Sequence, residues 1–166
     1  MPSGGPPKER CAVDDDACVR ERLAASHVAI VGCGGLGSNA AALLVRSGVG
    51  ELTLVDFDVV EESNLNRQLF FRDQLGTAKT DALAETLRRI QPDLTLHLVS
   101  HRVTEEDITG LVGHADVVIE AVDTVETKAM IASVLRRERP DTPLIAASGL
   151  AGFGPSNDVF PAIGGV

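Results

Sequence analysis

The sequence predicts an α/β domain in which a mainly parallel, doubly wound sheet carries helices on both faces. Three observations predict it. Short apolar runs of strand length alternate with longer helical segments along most of the 166 residues, the order that builds a parallel sheet through right-handed crossovers. The core must be aliphatic, because 44% of residues are hydrophobic but only 3% aromatic, with no Trp or Tyr. Parallel strands covered on both faces are built from such residues. A glycine cluster, Gly32 to Gly37, then falls between the first expected strand and the first expected long helix.

The chain opens with Pro and Gly and then Asp14, Asp15 and Asp16, a composition too polar to bury much surface, so residues 1–18 are expected to form a flexible arm. A short helical segment over 19–25 leads into an apolar strand, His27 to Val31. Gly37 to Ser47 is rich in Ala and Leu with a Gly beyond its end, which predicts a helix packed closely on the sheet. Glu51 to Asp56 is the second strand, and a polar stretch from Asp58 to Asn66 follows. A helix is expected from Lys79 to Ile90, stopped by Pro92. Leu94 to Val99 alternates as a third strand, 104–111 reads as a short helix, and 115–121 as a fourth strand. A helix over 124–137 and a fifth strand over 143–147 complete the pattern. The domain is expected to span 19–158. Past Gly149 the chain turns rich in Gly and Pro, so 159–166 are expected to be a loose or truncated tail.

A formal net charge of -9 argues against a nucleic-acid partner, since phosphate backbones are gripped by clustered Lys and Arg. Cys11, Cys18 and Cys33 are odd in number and form no C-x-x-C pair, so neither a disulfide framework nor a zinc site is expected. A reducing, cytoplasmic location fits this usage. No apolar run reaches the roughly 18 residues that span a bilayer, and the first residues lack the apolar core of a signal peptide, so no membrane partner is expected.

Gly32, Gly34, Gly35 and Gly37 match G-x-G-x-x-G between a strand and a helix, where bare backbone lets a phosphate approach the helix N-terminus. The simpler reading is a turn needed only for close helix packing. Asp56 closes the second strand about 20 residues further on, where a carboxylate can accept hydrogen bonds from ribose hydroxyls. To this point NAD and ATP are equally served.

The stretch Asp56-Phe-Asp58 through Ser63-Asn64-Leu-Asn-Arg67-Gln68 favours a triphosphate, because one turn of helix or 3-10 helix can aim Asn64, Arg67 and Gln68 into the crevice at the strand ends. Lys79 begins a helix, where its ammonium sits unfavourably beside the positive end of the dipole unless an anion is near. Asp123 follows the fourth strand and suits Mg²⁺, which prefers one or two carboxylates plus phosphate oxygens and water. Its alternative role is to cap the next helix, with Glu126 completing the box.

These residues resemble the ThiF/MoeB/HesA proteins, the bacterial relatives of ubiquitin-activating enzymes. The resemblance rests on Gly32 to Gly37, Leu54 to Asp58, Ser63 to Gln68, Gly76-x-x-Lys79 and Asp123, and runs from about Glu21 to Asp158. The stretches Ala121 to Met130 and Ala146 to Asp158 look most like the short ThiF-type adenylyltransferases of thiamine biosynthesis. The resemblance implies a Rossmann-like fold and an ATP-dependent nucleotidyltransferase. That enzyme adenylylates the C-terminal Gly-Gly carboxylate of a ThiS-like sulfur carrier protein and releases pyrophosphate. It implies that Asp56 holds the ribose, that Asn64, Arg67 and Lys79 hold the phosphates, and that Asp123 holds Mg²⁺. Asp58 and Gln68 belong to the same nucleotide set, and Arg67, Lys79 and Asp123 to the catalytic one.

Relatives work as homodimers in which an N-terminal arginine reaches the partner's phosphates, and Arg20 and Arg22 qualify by position. The sequence departs from larger relatives in having no paired C-x-x-C zinc ligands and no cysteine after Cys33, so adenylation alone is expected, with no zinc. Three alternatives are a tRNA-modifying relative of the same family, an NAD-dependent oxidoreductase, and a scaffold without catalysis.

Overall fold

The computed structural model describes residues 16–146. Its strands are β1 (His27–Val31), β2 (Glu51–Val55), β3 (Thr95–Val99), β4 (Val117–Glu120) and β5 (Leu144–Ala146). They form one sheet in the order β3-β2-β1-β4-β5, and every pairing is parallel. From β1 the chain steps outward to β2 and β3, then crosses back to β4 on the other side. That reversal leaves a crevice at the carboxyl ends of β1 and β4, the place where open α/β sheets bind ligands.

The helices are α1 (Asp16–Ala24), α2 (Gly35–Arg46), α3 (Lys79–Arg88), α4 (Ile108–Leu111) and α5 (Val125–Glu138). Side chains of a strand alternate between faces, and β1 shows the result. Val28 and Ile30 join a cluster with Ala41 and Val45 of α2 and Leu83 and Leu87 of α3. Ala29 and Val31 join a second cluster with Ile108 of α4 and Ile131, Val134 and Leu135 of α5. Burying each large aliphatic side chain contributes about 1.5–3 kcal/mol, so the central strand is held by packing on both faces, as the aliphatic composition predicted.

Element boundaries depart from expectation for identifiable reasons. Helix α2 starts at Gly35 rather than Gly37, despite the low helix propensity of glycine. A Cβ at Gly37 would collide with the Gly32 carbonyl, so the close approach of α2 to β1 requires glycine inside the helix. The helix expected over 104–111 is confined to Ile108–Leu111 because Asp107 Oδ1 accepts the Thr104 N–H at 2.8 Å and holds the preceding residues in a turn.

Residues 16–18, assigned to the arm, belong to α1, which has no buried residue. Cys18 is disulfide-bonded, which corrects the expectation that the cysteines form no disulfide; its partner lies outside the described residues. The arm up to residue 15, the stretch from 147 to 158 and the tail 159–166 also lie outside them. No helix among the described residues is long and apolar enough to cross a membrane.

Candidate functional site

The glycine cluster divides into two halves. Gly32 adopts φ +96°, and a Cβ there would stand 2.8 Å from the Ala121 carbonyl carbon and oxygen, so β1 and β4 converge only over bare backbone. With Gly37 it serves the packing, although its backbone also lines the cleft. Gly34 and Gly35 are different: a Cβ at Gly34 would have only the Gln68 amide, at 4.0 Å, for company, and at Gly35 the nearest atom is Arg67 Cγ at 3.6 Å. Both line a cleft of about 600 Å³. The first-turn amides of α2 have no intrahelical acceptor, and no acidic side chain occupies that turn. The open glycines thus stand at the positive end of a 12-residue helix.

Cys33, between the halves, is fully buried, and burial together with the nearby Asp56 carboxylate pushes its thiol well above the ordinary range. It is a packing residue, not a nucleophile.

Asp56 is 8% exposed and fixes the loop: Oδ2 accepts the Cys33 N–H at 2.6 Å and Oδ1 accepts the Asp58 N–H at 2.8 Å. Asp58 supplies the anion that the position of Lys79 called for, since Lys79 Nζ lies 2.9 Å from its Oδ2. The Lys79 side chain is 7% exposed and that of Asp58 46%, so a buried ammonium is held by a carboxylate open to the cleft.

The three polar residues expected to point together do not all do so. The 3-10 turn Glu62–Asn64 forms, but Asn64 Oδ1 accepts the Glu61 N–H at 3.0 Å, and Asn64 is not among the residues lining the cleft. Its amide closes its own turn. Arg67 and Gln68 do line the cleft. Arg67 Nη1 donates to the Ser63 carbonyl and to Asn66 Oδ1, both at 3.0 Å, which leaves its charge without a carboxylate. Gln68 Oε1 is buried with no hydrogen-bond partner, the kind of orphan that marks a place for a further polar group.

Two residues that sequence reasoning missed pin this segment to α2. Ser38 Oγ donates to the Gly34 carbonyl and accepts the Leu69 N–H, and Asn39 Nδ2 donates to the carbonyls of Gly35 and Arg67. Short polar residues inside a helix beside a glycine cluster were the available signal.

Across the crevice Asp123 is exposed, lines the cleft, and makes no hydrogen bond or ion pair among the described residues. The N-cap of α5 is Thr124, so Asp123 does not take the capping alternative. Its neighbour Glu120, also missed, is 1% exposed; it accepts the Val122 N–H at 2.8 Å and pairs with Lys128 Nζ at 2.9 Å. That buried pair sets the path of the loop carrying Asp123.

The cleft therefore gathers Gly34, Gly35, Asp56, Asp58, Arg67, Gln68, Lys79 and Asp123, together with His101 and Arg102 from beyond β3. No group of three or more metal-ligating side chains occurs among the described residues. Asp123, an open carboxylate with no cation of its own among the described residues, fits Mg²⁺ that takes most of its oxygens from phosphate and water.

The sequence model of the ThiF family matches residues 11–162. The tRNA threonylcarbamoyladenosine dehydratase of Escherichia coli is 39% identical over 133 residues, covering 78% of this chain and 48% of that protein. The sulfur carrier protein ThiS adenylyltransferase of the same organism is 38% identical over 136 residues, covering 81% and 53%. Among solved structures, the E. coli tRNA N6-threonylcarbamoyladenosine dehydratase in complex with ATP superposes with a TM-score of 0.75 at 36% identity, over 79% of this chain and 54% of that one. The chain thus spans about half the length of these relatives.

Proposed function

The chain belongs to the ThiF family, and from that premise we propose that it is an ATP-dependent adenylyltransferase acting on the C-terminal Gly-Gly carboxylate of a ThiS-like sulfur carrier, with Mg²⁺ as cofactor. The observation that carries this reading is the convergence of Arg67, Lys79 and Asp123 around the open half of the glycine cluster. A nicotinamide cofactor would leave those three groups without a task.

In this reading Asp56 holds the ribose, the amides at Gly34 and Gly35 face the phosphates, and Arg67 and Lys79 complete the cationic wall, with Gln68 and Asp58 beside them. Asn64 acts through the turn that aims Arg67. Lys79 is already paired, so a triphosphate would share it with Asp58. Asp123 would hold Mg²⁺, which neutralises charge on the phosphate oxygens when bound. The carrier carboxylate is ionised at neutral pH and attacks the α-phosphorus without help from a protein base. A carbon-bound oxygen joins phosphorus, the bond to the bridging oxygen breaks, and pyrophosphate leaves. Charge that builds on the phosphate oxygens is met by groups already in position.

The test is ATP–pyrophosphate exchange with Mg²⁺, with and without a carrier ending in Gly-Gly. Carrier-dependent exchange that falls at least about a hundredfold in Asp123→Ala supports the reading, on the scale of losing one transition-state electrostatic partner. Exchange that ignores the carrier, or an unaffected variant, argues against it.

A second reading is favoured by the likeness to the tRNA threonylcarbamoyladenosine dehydratase: the same cleft would activate a carboxylate carried on a tRNA nucleoside. The net charge of -9 weighs against it. A gel shift with bulk tRNA separates the two, a complex favouring the second. A homodimer completed by Arg20 or Arg22 of α1, and a cytoplasmic location, complete the proposal; sedimentation equilibrium checks the former.

A further inference from the structure

The wall of the cleft farthest from the glycine loop carries a pair that the proposed chemistry leaves unused. Phe57 follows β2 and Arg102 follows β3, neighbouring parallel strands. The Arg102 guanidinium carbon lies 3.6 Å over the centre of the Phe57 ring, the separation of a face-to-face stack. Both side chains line the cleft, and Phe57 keeps 48% of its surface exposed. The two other cations of the cleft are occupied: Lys79 by Asp58, and Arg67 by oxygens of its own loop. Arg102 makes no salt bridge or hydrogen bond among the described residues, and its only recorded partner is the ring.

Topology decides which part of a nucleotide lies there. Phosphates belong at the amino end of α2, which follows β1, and the ribose belongs at Asp56, which follows β2. The sheet order β3-β2-β1 continues that line one strand further, to the end of β3. A nucleotide laid along it brings its base to Phe57 and Arg102.

We infer that Arg102, held flat by Phe57, is the stacking platform for the base, and so a binding and specificity-determining residue of the cleft. The inference rests on the nucleotide reading of the site. A guanidinium plane gains from the face of any base and more from the larger face of a purine, whereas a lysine ammonium in its place keeps the charge and loses the plane. Arg102 therefore discriminates by shape, at the end of the cleft opposite the charged groups that hold phosphate.

The test measures binding of ATP and of tripolyphosphate, which has comparable charge and no base, by calorimetry on the wild-type chain, Arg102→Ala, Arg102→Lys and Phe57→Leu. Arg102→Ala is expected to weaken ATP about tenfold while changing tripolyphosphate by less than about twofold. Arg102→Lys should resemble the alanine variant for ATP, and Phe57→Leu should fall between it and the wild type. Equal losses for both ligands would make Arg102 a phosphate-binding cation, and no loss for either would leave it idle; each overturns the inference while the nucleotide reading stands. A wild-type chain that binds neither ligand overturns both together. Arg102 is exposed, so an unchanged far-UV melting curve is expected for its variants, and Phe57→Leu carries the test independently.

Discussion

The two halves of the glycine cluster look alike in sequence and do different work. Gly32 and Gly37 have backbone where a Cβ would be, from Ala121 in one case and from Gly32 itself in the other. Gly34 and Gly35 have the cleft and, at 3.6 Å or more, atoms of Gln68 and Arg67 at ordinary contact distance. The same division recurs at the end of β4, where Glu120 is 1% exposed and engaged while Asp123, three residues on, is exposed and unpaired among the described residues. At these two strand ends one residue secures the backbone and a near neighbour is left facing the cleft. A motif is therefore a mixture of packing and chemistry, and the surroundings of each residue decide which it serves.

The largest expected effect comes from breaking the packing half. Gly37→Ala should cost about 3 kcal/mol or more, because backbone on both sides resists displacement. The loss is read from urea unfolding, and a variant as stable as wild type would erase the distinction between the halves. Glu120→Ala should cost about 2 kcal/mol, since it removes an acceptor from the Val122 N–H and the carboxylate from Lys128. Glu120→Gln should cost less, because the amide oxygen still accepts from Val122, and Asp123→Ala should leave the melting midpoint within about a degree.

The open half should show the reverse pattern. Gly35→Ala is expected to hold or slightly raise stability, since alanine is the better helix former, yet to weaken ATP about tenfold by placing a methyl group where a phosphate approaches the amides.

The smallest effect lies at the far end of the sheet. His27 is partly buried beside Glu51, His97 and Asp116, and its pKa is lowered from 6.5, chiefly by burial, with Glu51 opposing and His97 assisting. The unfolded chain therefore binds more protons at this site than the folded one, so stability contributed there is present above the ordinary value and declines as pH falls through it. His27→Gln should flatten the slope of stability between about pH 7 and pH 5 while leaving ATP affinity unchanged. An unchanged slope would remove His27 from the account.

The strands were legible because short apolar runs of strand length end at glycine or polar residues, as in His27–Val31, whose bounds were read correctly. The parallel sheet was legible from the alternation of strands and helices, whereas the strand order β3-β2-β1-β4-β5 came only from the structure. What was not legible depended on tertiary partners. Nothing local announces that Lys79 meets Asp58, 21 positions away, or that Glu120 is engaged with Lys128 beneath the Asp123 loop. Asn64 was expected in the cleft because its amide can reach a ligand, but the same amide can reach its own backbone, and the structure takes that shorter path. The 3-10 turn Arg72–Gln74 was missed because its stability comes from buried Gln74, which bridges the Phe71 N–H and the Ala82 carbonyl. Arg102 was passed over because its only recorded contact, the Phe57 ring, sits on another strand end.

The central claim is that the open half of the glycine cluster is a site for ATP, and binding tests it more directly than turnover because it requires no carrier. The measurement is calorimetric titration of the wild-type chain and Gly35→Ala with ATP and with NAD in the presence of Mg²⁺. The account predicts ATP tighter than NAD in the wild type, and ATP weakened about tenfold in a variant that melts no lower. NAD tighter than ATP, or equal ATP affinity in the two chains, would contradict it.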